Sequence, residues 1–173
     1  MWILVLLVSI LLIAADQTVK YWTVCNFAAP VAGRSVTADP AKPLLPGLVE
    51  LTRAHNTGAG WSLFSGMRWV LVAVTVVLLL VVVVLAAKRI VRHPVGLWAC
   101  GLIFAGGMGN LIDRVRQGYV VDMFNFQFID FPVFNVADIC VVCGAILAAI
   151  YYLWFMKYDE KKEPAHEDHP SAG

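Results

Sequence analysis

The chain has 173 residues, of which 60% are hydrophobic and only 14% are charged, and its mean hydropathy is +0.76. A soluble domain needs more polar surface than this to cover its core, so the composition predicts a single membrane domain. The formal net charge is +1 and no basic patch is interleaved with aromatic residues, so nucleic-acid binding is excluded as an expected function.

Four apolar stretches are long enough to cross a bilayer, which requires about 20 residues. The predicted spans are 2–22, 69–87, 95–112 and 132–156. The first could instead be a signal-peptide core, but no Lys or Arg precedes it and apolar residues resume after Lys20. Asp16 and Lys20 share one face of that helix, so we expect a simple salt bridge near the membrane boundary. Four glycines of the third span would permit close helix approach: Gly101, Gly106, Gly107 and Gly109.

Residues 26–66 contain four prolines and do not suit a helix. Residues 48–55 are rich in strand-forming side chains and are bounded by turn residues, which predicts a strand, and a second short strand is expected at 61–64. The predicted fold class is therefore an all-α membrane protein with four transmembrane helices and a small extracytoplasmic β-rich cap. Residues 1–157 would form one domain, and 158–173 a charged, disordered cytoplasmic tail.

Charge predicts the orientation of these spans. The loop 88–93 is the densest basic segment, and further lysines follow the fourth span. Both segments belong on the cytoplasmic side by the positive-inside rule, which places both termini inside and the cap and the loop 113–131 outside. The unusual polar residues of the chain would then collect at one level, near the outer leaflet.

Two carboxylates of this group are the hardest to explain. Asp122 lies in the apolar segment 119–124, which we expect to lie against the membrane. Asp138 would lie about 9 Å along a fourth helix that begins near Pro132. Buried carboxylates need partners, and each could be the partner of the other. Two close carboxylates share protons unequally, so such a pair can activate water as a base and protonate a leaving amine as an acid.

Other interpretations of the residues remain open. Asp and Asn oxygens could bind a metal ion, paired aspartates could merely hold helices together, and intramembrane aspartates also serve as proton relays in transporters. A Ser-His-Asp triad has no evident parts. Cys140 and Cys143 are spaced as a C-x-x-C pair, but they lie in an apolar helix and are expected to be small core residues.

Five motifs in order resemble those of bacterial lipoprotein signal peptidase, also called signal peptidase II. Each motif alone is weak, but five in the same order over roughly residues 10–145 are specific. In sequence they read DQTVK from Asp16, NTGAGW from Asn56, GNLIDR from Gly109, GYVVDMF from Gly118 and FNVAD from Phe134.

The resemblance implies an aspartic endopeptidase of the bacterial cytoplasmic membrane, which removes signal peptides from prolipoproteins on the amino side of a diacylglyceryl-modified cysteine. It implies catalytic roles for Asp122 and Asp138, without a metal or other cofactor. It implies partners of three kinds: lipidated prolipoproteins, membrane lipids and the cyclic peptide antibiotics that inhibit the family. Positions expected to bind substrate are Asn56, Gly58, Asn110, Arg114 and Asn135, and positions expected to be structural are Asp16, Lys20 and Asp113.

The sequence departs from the family pattern at Gly60-Trp61, where Ala-Phe is frequent, and at Met123, where Phe is frequent. Both changes are expected to keep an apolar, lipid-compatible surface. They therefore bear on substrate preference more than on activity.

Overall fold

The computed structural model describes residues 1–31, 34–58 and 64–156. Within these residues, four helices are long and apolar enough to cross a membrane. The helices are α1 (Trp2–Asn26), α2 (Arg68–Ala87), α3 (Pro94–Gln117) and α4 (Val136–Ile150), and α4 continues into a π-helical turn, Tyr151–Phe155. The strands are β1 (Lys42–Leu45), β2 (Val49–Asn56) and β3 (Val120–Phe126). The predicted fold class, a four-helix membrane protein with a small sheet, is confirmed.

Helix α3 is the centre of the bundle, because α1, α2 and α4 all pack against it. Its glycines allow this packing, as predicted. A Cβ placed on Gly109 would lie 2.6 Å from Asp16 Oδ2 and 3.0 Å from the Ala137 Cβ. A Cβ on Gly106 would collide with the backbone carbonyl of Ala137. The helices can therefore approach at this level only because these positions carry no side chain.

The three strands form one antiparallel sheet in the order β1-β2-β3. The strand predicted over 48–55 is confirmed as β2. The second predicted strand, 61–64, lies outside the described residues except for Phe64, which is in a turn. The sheet places Ala54 of β2 opposite Asp122 of β3, so one of the two aspartates singled out above lies on a strand that is paired with the cap.

Strand β3 corrects two expectations. The segment 119–124 is not part of an irregular loop 113–131; instead, α3 extends to Gln117 and residues 120–126 pair along β2. The physical reason is that backbone N–H and C=O groups of an apolar segment need partners where water is scarce, and the free edge of β2 supplies them. Val120, Val121 and Met123 are consequently buried. The expectation that Met123 contributes to a lipid-compatible surface is therefore wrong, because its side chain is fully buried.

Three helix boundaries also differ from those predicted. Helix α1 continues four residues further, to Asn26, and α3 continues five residues further, to Gln117. Helix α3 ends where Gly118 adopts a left-handed conformation with φ +88°, a common helix stop. Helix α4 begins at Val136 because Asn135 caps it, and not near the preceding proline. The predicted tail, 158–173, lies outside the described residues.

The cap is attached to α1 by an arginine of β2. Arg53 is buried, and its Nη1 donates hydrogen bonds to the carbonyl oxygens of Phe27 (3.0 Å) and Val24 (3.4 Å). These carbonyls belong to the end of α1, whose last turn contains no basic residue of its own. The guanidinium therefore satisfies helix-end acceptors and fixes the cap to the bundle.

Candidate active site

The polar residues from separate parts of the sequence meet in one cluster, where α1, α3 and the start of α4 meet the sheet. Asp122 is 2% exposed, Lys20 is 3% exposed and Asn135 is fully buried. Helix α1 brings Asp16 and Lys20, β2 leads to Asn56 and Gly58, α3 brings Asn110, Asp113 and Arg114, β3 brings Asp122, and the start of α4 brings Asn135 and Asp138.

Asp122 accepts a hydrogen bond on each carboxyl oxygen. Asn135 Nδ2 donates to Oδ1 at 2.6 Å and Asn56 Nδ2 donates to Oδ2 at 3.1 Å. Burial raises the pKa of Asp122 to about 7, and the nearby charge of Asp138 adds to this effect. The two amide donors and Lys20 act in the opposite direction on this pKa. A carboxyl group with a pKa near 7 can hold or release a proton at neutral pH.

Asp138 occupies the third position of α4, where it completes a capping box. Asn135 Oδ1 accepts from the Asp138 backbone N–H at 2.9 Å, and Asp138 Oδ2 accepts from the Asn135 backbone N–H at 3.2 Å. The spacing Asn-x-x-Asp produces this arrangement locally. Asn110 Nδ2 donates to the remaining oxygen, Oδ1, at 2.8 Å. Both carboxyl oxygens are therefore held by N–H donors at the positive end of a helix dipole.

Asn135 joins the two carboxyl groups. Its Nδ2 donates to Asp122 Oδ1 and to Asn110 Oδ1, the latter at 3.0 Å. Asn110 in turn donates to Asp138. The two aspartates are thus connected through two side-chain amides. The charge of Asp138 also acts on Asp122 by repulsion.

Asp16, Lys20 and Asp113 form a buried ionic group beside these amides. The predicted pair is present, with Lys20 Nζ 2.9 Å from Asp16 Oδ2, but Lys20 also lies 3.1 Å from Asp113 Oδ2. Asp16 Oδ1 accepts from the Ala137 backbone N–H at 2.9 Å, and Asp113 Oδ2 accepts from the Val121 N–H at 3.1 Å. The simple salt bridge expected at the boundary is therefore too narrow a description, because this group joins α1 and α3 to α4 and β3.

Arg114 and Gly58 are brought into direct contact. Arg114 Nη2 donates to the Gly58 carbonyl at 2.7 Å. The arginine is buried, its Nε has no hydrogen-bond partner within the described residues, and its charge is close enough to interact with Asp122 and Asp138. A guanidinium carries five N–H donors in a planar fork, which suits it to hold a peptide carbonyl.

Three residues of this region were not identified from the sequence. Gln17 Nε2 donates to the Gly109 carbonyl at 3.1 Å and to Asp113 Oδ1 at 3.3 Å. Arg53 Nε donates to His55 Nε2 at 3.2 Å. Burial and the Arg53 charge lower the pKa of His55 to about 4, so its ring is neutral at physiological pH. The polar face of α1 could have indicated Gln17, but the contact between Arg53 and His55 depends on how the sheet folds onto α1.

Comparison with known proteins places this arrangement in a family. The sequence pattern of signal peptidase (SPase) II matches residues 8–154. The chain is 40% identical to a lipoprotein signal peptidase of Streptococcus pyogenes serotype M6 over 149 residues, covering 84% of this chain and 89% of that protein. It is 39% identical to the lipoprotein signal peptidase of Enterococcus faecalis over 150 residues, covering 85% of this chain and 86% of the relative.

Solved structures agree with the sequence matches. A bacterial membrane enzyme solved at 2.3 Å resolution superposes with a TM-score of 0.75 at 29% identity, covering 92% of each chain. A second, solved at 1.9 Å, has a TM-score of 0.72 at 29% identity and covers 87% of this chain and 93% of its own. The chain is therefore a multi-pass bacterial membrane peptidase and belongs to the signal peptidase II family.

Proposed function

We propose that this chain removes signal peptides from bacterial prolipoproteins, cleaving on the amino side of the diacylglyceryl-modified cysteine, with Asp122 and Asp138 as its catalytic dyad. The observation that carries this proposal is that Asn135 hydrogen-bonds both the buried carboxyl group of Asp122 and the half-buried carboxyl group of Asp138 in a membrane protein of this family. Residues 1–157 act as one domain, and the lipid bilayer is the medium through which the lipidated substrate reaches the site.

The two carboxyl groups divide the acid and base roles. With its pKa raised to about 7, Asp122 holds a proton at neutral pH and hydrogen-bonds the scissile carbonyl. Asp138, at the positive end of α4, accepts a proton as water attacks that carbonyl. A C–O bond forms, the C–N bond breaks, and the leaving amine takes a proton from the dyad. The products are a signal peptide with a free carboxyl end and a lipidated cysteine with a free amino group.

Substrate is held by the groups around the dyad. Arg114 is oriented by its bond to the Gly58 carbonyl, and its guanidinium lies close enough to both aspartates to hold a substrate carbonyl beside them. Asn56 holds the carboxyl of Asp122 from the cap side, where an extended peptide enters. An extended backbone near hydrocarbon needs such donors, because water is scarce there. Cyclic peptide inhibitors of the family would use the same donors.

The dyad is tested by cleavage of a purified lipidated precursor in detergent or lipid. Asp122→Asn and Asp138→Asn are each expected to lower kcat by about a hundredfold to ten-thousandfold, because each removes an acid–base group. Asp130→Asn is the matched control, since Asp130 lies exposed in the loop before α4 and should retain normal activity. Normal cleavage by either dyad variant, with its fold intact, would refute the assignment.

The orientation proposed is cytoplasmic for both termini, with the active site near the outer leaflet. The ring of His93, at the end of the basic loop, stacks on Phe155, the last residue of the π-helical turn that follows α4, with centroids 4.1 Å apart. This contact supports placing the two basic segments on one side. Cys25 is exposed near the opposite end of the bundle, so it should react with a membrane-impermeant thiol reagent in intact cells with a permeable outer envelope. Cys25→Ser provides the background, and labelling only after cell lysis would reverse the orientation.

A further inference from the structure

Lys20 is surrounded by hydrogen-bond acceptors. Its Nζ lies 2.9 Å from Asp16 Oδ2, 3.1 Å from Asp113 Oδ2 and 2.9 Å from Asn110 Oδ1. The Gly109 carbonyl is 3.4 Å away. A lysine ammonium has three donors and no acceptor, so three short contacts use its full hydrogen-bonding capacity. The third of these contacts goes to an amide that hydrogen-bonds a carboxylate of the dyad.

This contact determines which way the Asn110 amide points. An ammonium cannot accept a hydrogen bond, so the group facing Lys20 must be the carbonyl oxygen. The NH2 group then faces Asp138 Oδ1, at 2.8 Å. The reversed amide would place NH2 against the ammonium and against the NH2 of Asn135, and would place its oxygen against a carboxylate. Each of these three contacts would be repulsive.

We propose that Lys20 is a positioning residue for catalysis, which fixes the orientation of the Asn110 amide and thereby holds Asp138 in register with Asp122. The proposal rests on the dyad function proposed above. Lys20 does not touch the reacting atoms. It acts through Asn110, whose carbonyl also accepts from Asn135, so one ammonium orders the hydrogen bonds that lead to both carboxyl groups.

A lysine that only neutralised buried charge would have a different signature. Its effect would depend on the net charge of the Asp16–Lys20–Asp113 group and not on a donor directed at Asn110. The two roles can be separated because K20M/D113N and K20Q/D113N both keep the formal charge of that group at −1, the wild-type value. Met and Gln are both uncharged and unbranched, but only Gln offers an N–H donor to Asn110.

The test measures kcat and KM for cleavage of the lipidated precursor by the two double variants. K20M/D113N is expected to lower kcat about tenfold to a hundredfold with little change in KM, since misplacement of a catalytic group has effects of that size. K20Q/D113N is expected to recover a measurable part of that loss. Lys42→Met, at an exposed lysine of β1, is the control for removing a lysine elsewhere.

The outcomes discriminate between the two roles. Equal kcat values for the Met and Gln double variants, or wild-type kcat for both, would overturn the positioning role. If neither double variant folds, Asn110→Asp decides, because it still accepts from Lys20 but cannot donate to Asp138 when ionised; wild-type kcat in this variant would also overturn the proposal. Absence of cleavage by the wild-type enzyme would instead reject the proposed function, and this role with it.

Discussion

Replacing Asn135 with serine or with alanine separates the two tasks of this side chain. Asn135 Oδ1 caps α4 by accepting from the Asp138 N–H, and Nδ2 donates to Asp122 at 2.6 Å and to Asn110 at 3.0 Å. Serine keeps an acceptor suited to the cap but is too short to reach the other two groups. Alanine removes both tasks. The difference in stability between the two variants therefore measures the helix cap. The loss of activity that they share measures the connection from Asn135 to Asp122 and Asn110.

The stability cost follows from these contacts. Loss of the helix cap costs about 1 kcal/mol. Loss of the donor to buried Asp122 Oδ1 costs about 1–3 kcal/mol, because that oxygen then lacks its shortest partner. Asn110 Oδ1 keeps its bond from Lys20 and adds little. We therefore expect Asn135→Ser to destabilise the fold by about 1–3 kcal/mol and Asn135→Ala by about 2–4 kcal/mol.

Both variants should also change the pH dependence and the maximal value of kcat. The amide of Asn135 lowers the pKa of Asp122, so its removal should raise that pKa further above about 7. Because Asp122 must hold a proton, the decline of kcat at high pH should move to higher pH in both variants. The maximal kcat should nevertheless fall, since the carboxyl groups lose their shared bridge.

The assay combines unfolding measurements in a fixed detergent with kcat measured across pH. Asn125→Ser is the matched control, because Asn125 lies on the same strand as Asp122 but hydrogen-bonds Glu50, away from the dyad. Equal stability of the serine and alanine variants would refute the capping role. An unchanged pH profile and unchanged kcat in Asn135→Ser would refute the bridge between the two aspartates.

Three further predictions concern pH, packing and attachment of the cap. Because the pKa of Asp122 is raised from about 4 to about 7, the folded state binds more protons between these values, so its stability should fall as pH rises from about 4 to 7, and kcat should fall about tenfold per pH unit above about 7; a flat profile up to pH 9 would contradict this. Gly109→Ala, whose Cβ would lie 2.6 Å from Asp16 Oδ2, should lose about 1–3 kcal/mol in detergent unfolding, whereas Gly107→Ala on the same helix meets only the end of a leucine side chain and should be nearly neutral; equal effects would contradict the packing argument. Arg53→Met should cost about 1.5–3 kcal/mol through lost bonds to the end of α1 and should speed hydrogen exchange in β2 and β3; unchanged exchange would show that the cap is held by other contacts.

The transmembrane architecture was predictable because its cause is local. A run of uncharged apolar residues such as 69–87 must leave water wherever it occurs in the chain, and a helix satisfies its own backbone there. Strand β2 was predictable for a similar reason, since turn residues bound a β-prone segment. Strand β3 was not, because its pairing partner lies about seventy residues earlier in the chain, and neither segment indicates the other.

In the candidate site, too, local features were predictable and contacts between distant segments were not. The residue types and their common depth predicted a buried acid pair, because carboxyl groups beside hydrocarbon are costly and need partners. The sequence could not predict that Asn135 and Asn110 stand between Asp122 and Asp138, or that Lys20 orients one of these amides. Amide orientation depends on donors and acceptors within about 3 Å, and these come from different helices.

The sequence by itself therefore determined that this chain spans a membrane and carries two aspartates at one level, because hydrophobicity and helical spacing are properties of short segments. The tertiary structure alone decided which groups donate and accept the hydrogen bonds around these two aspartates. These hydrogen bonds form where α1, α3, α4 and β3 meet, and Gly109 lets three of these elements approach closely enough for Asp16 and Lys20 to take part. Contacts of this kind depend on distances between segments, which no single segment encodes.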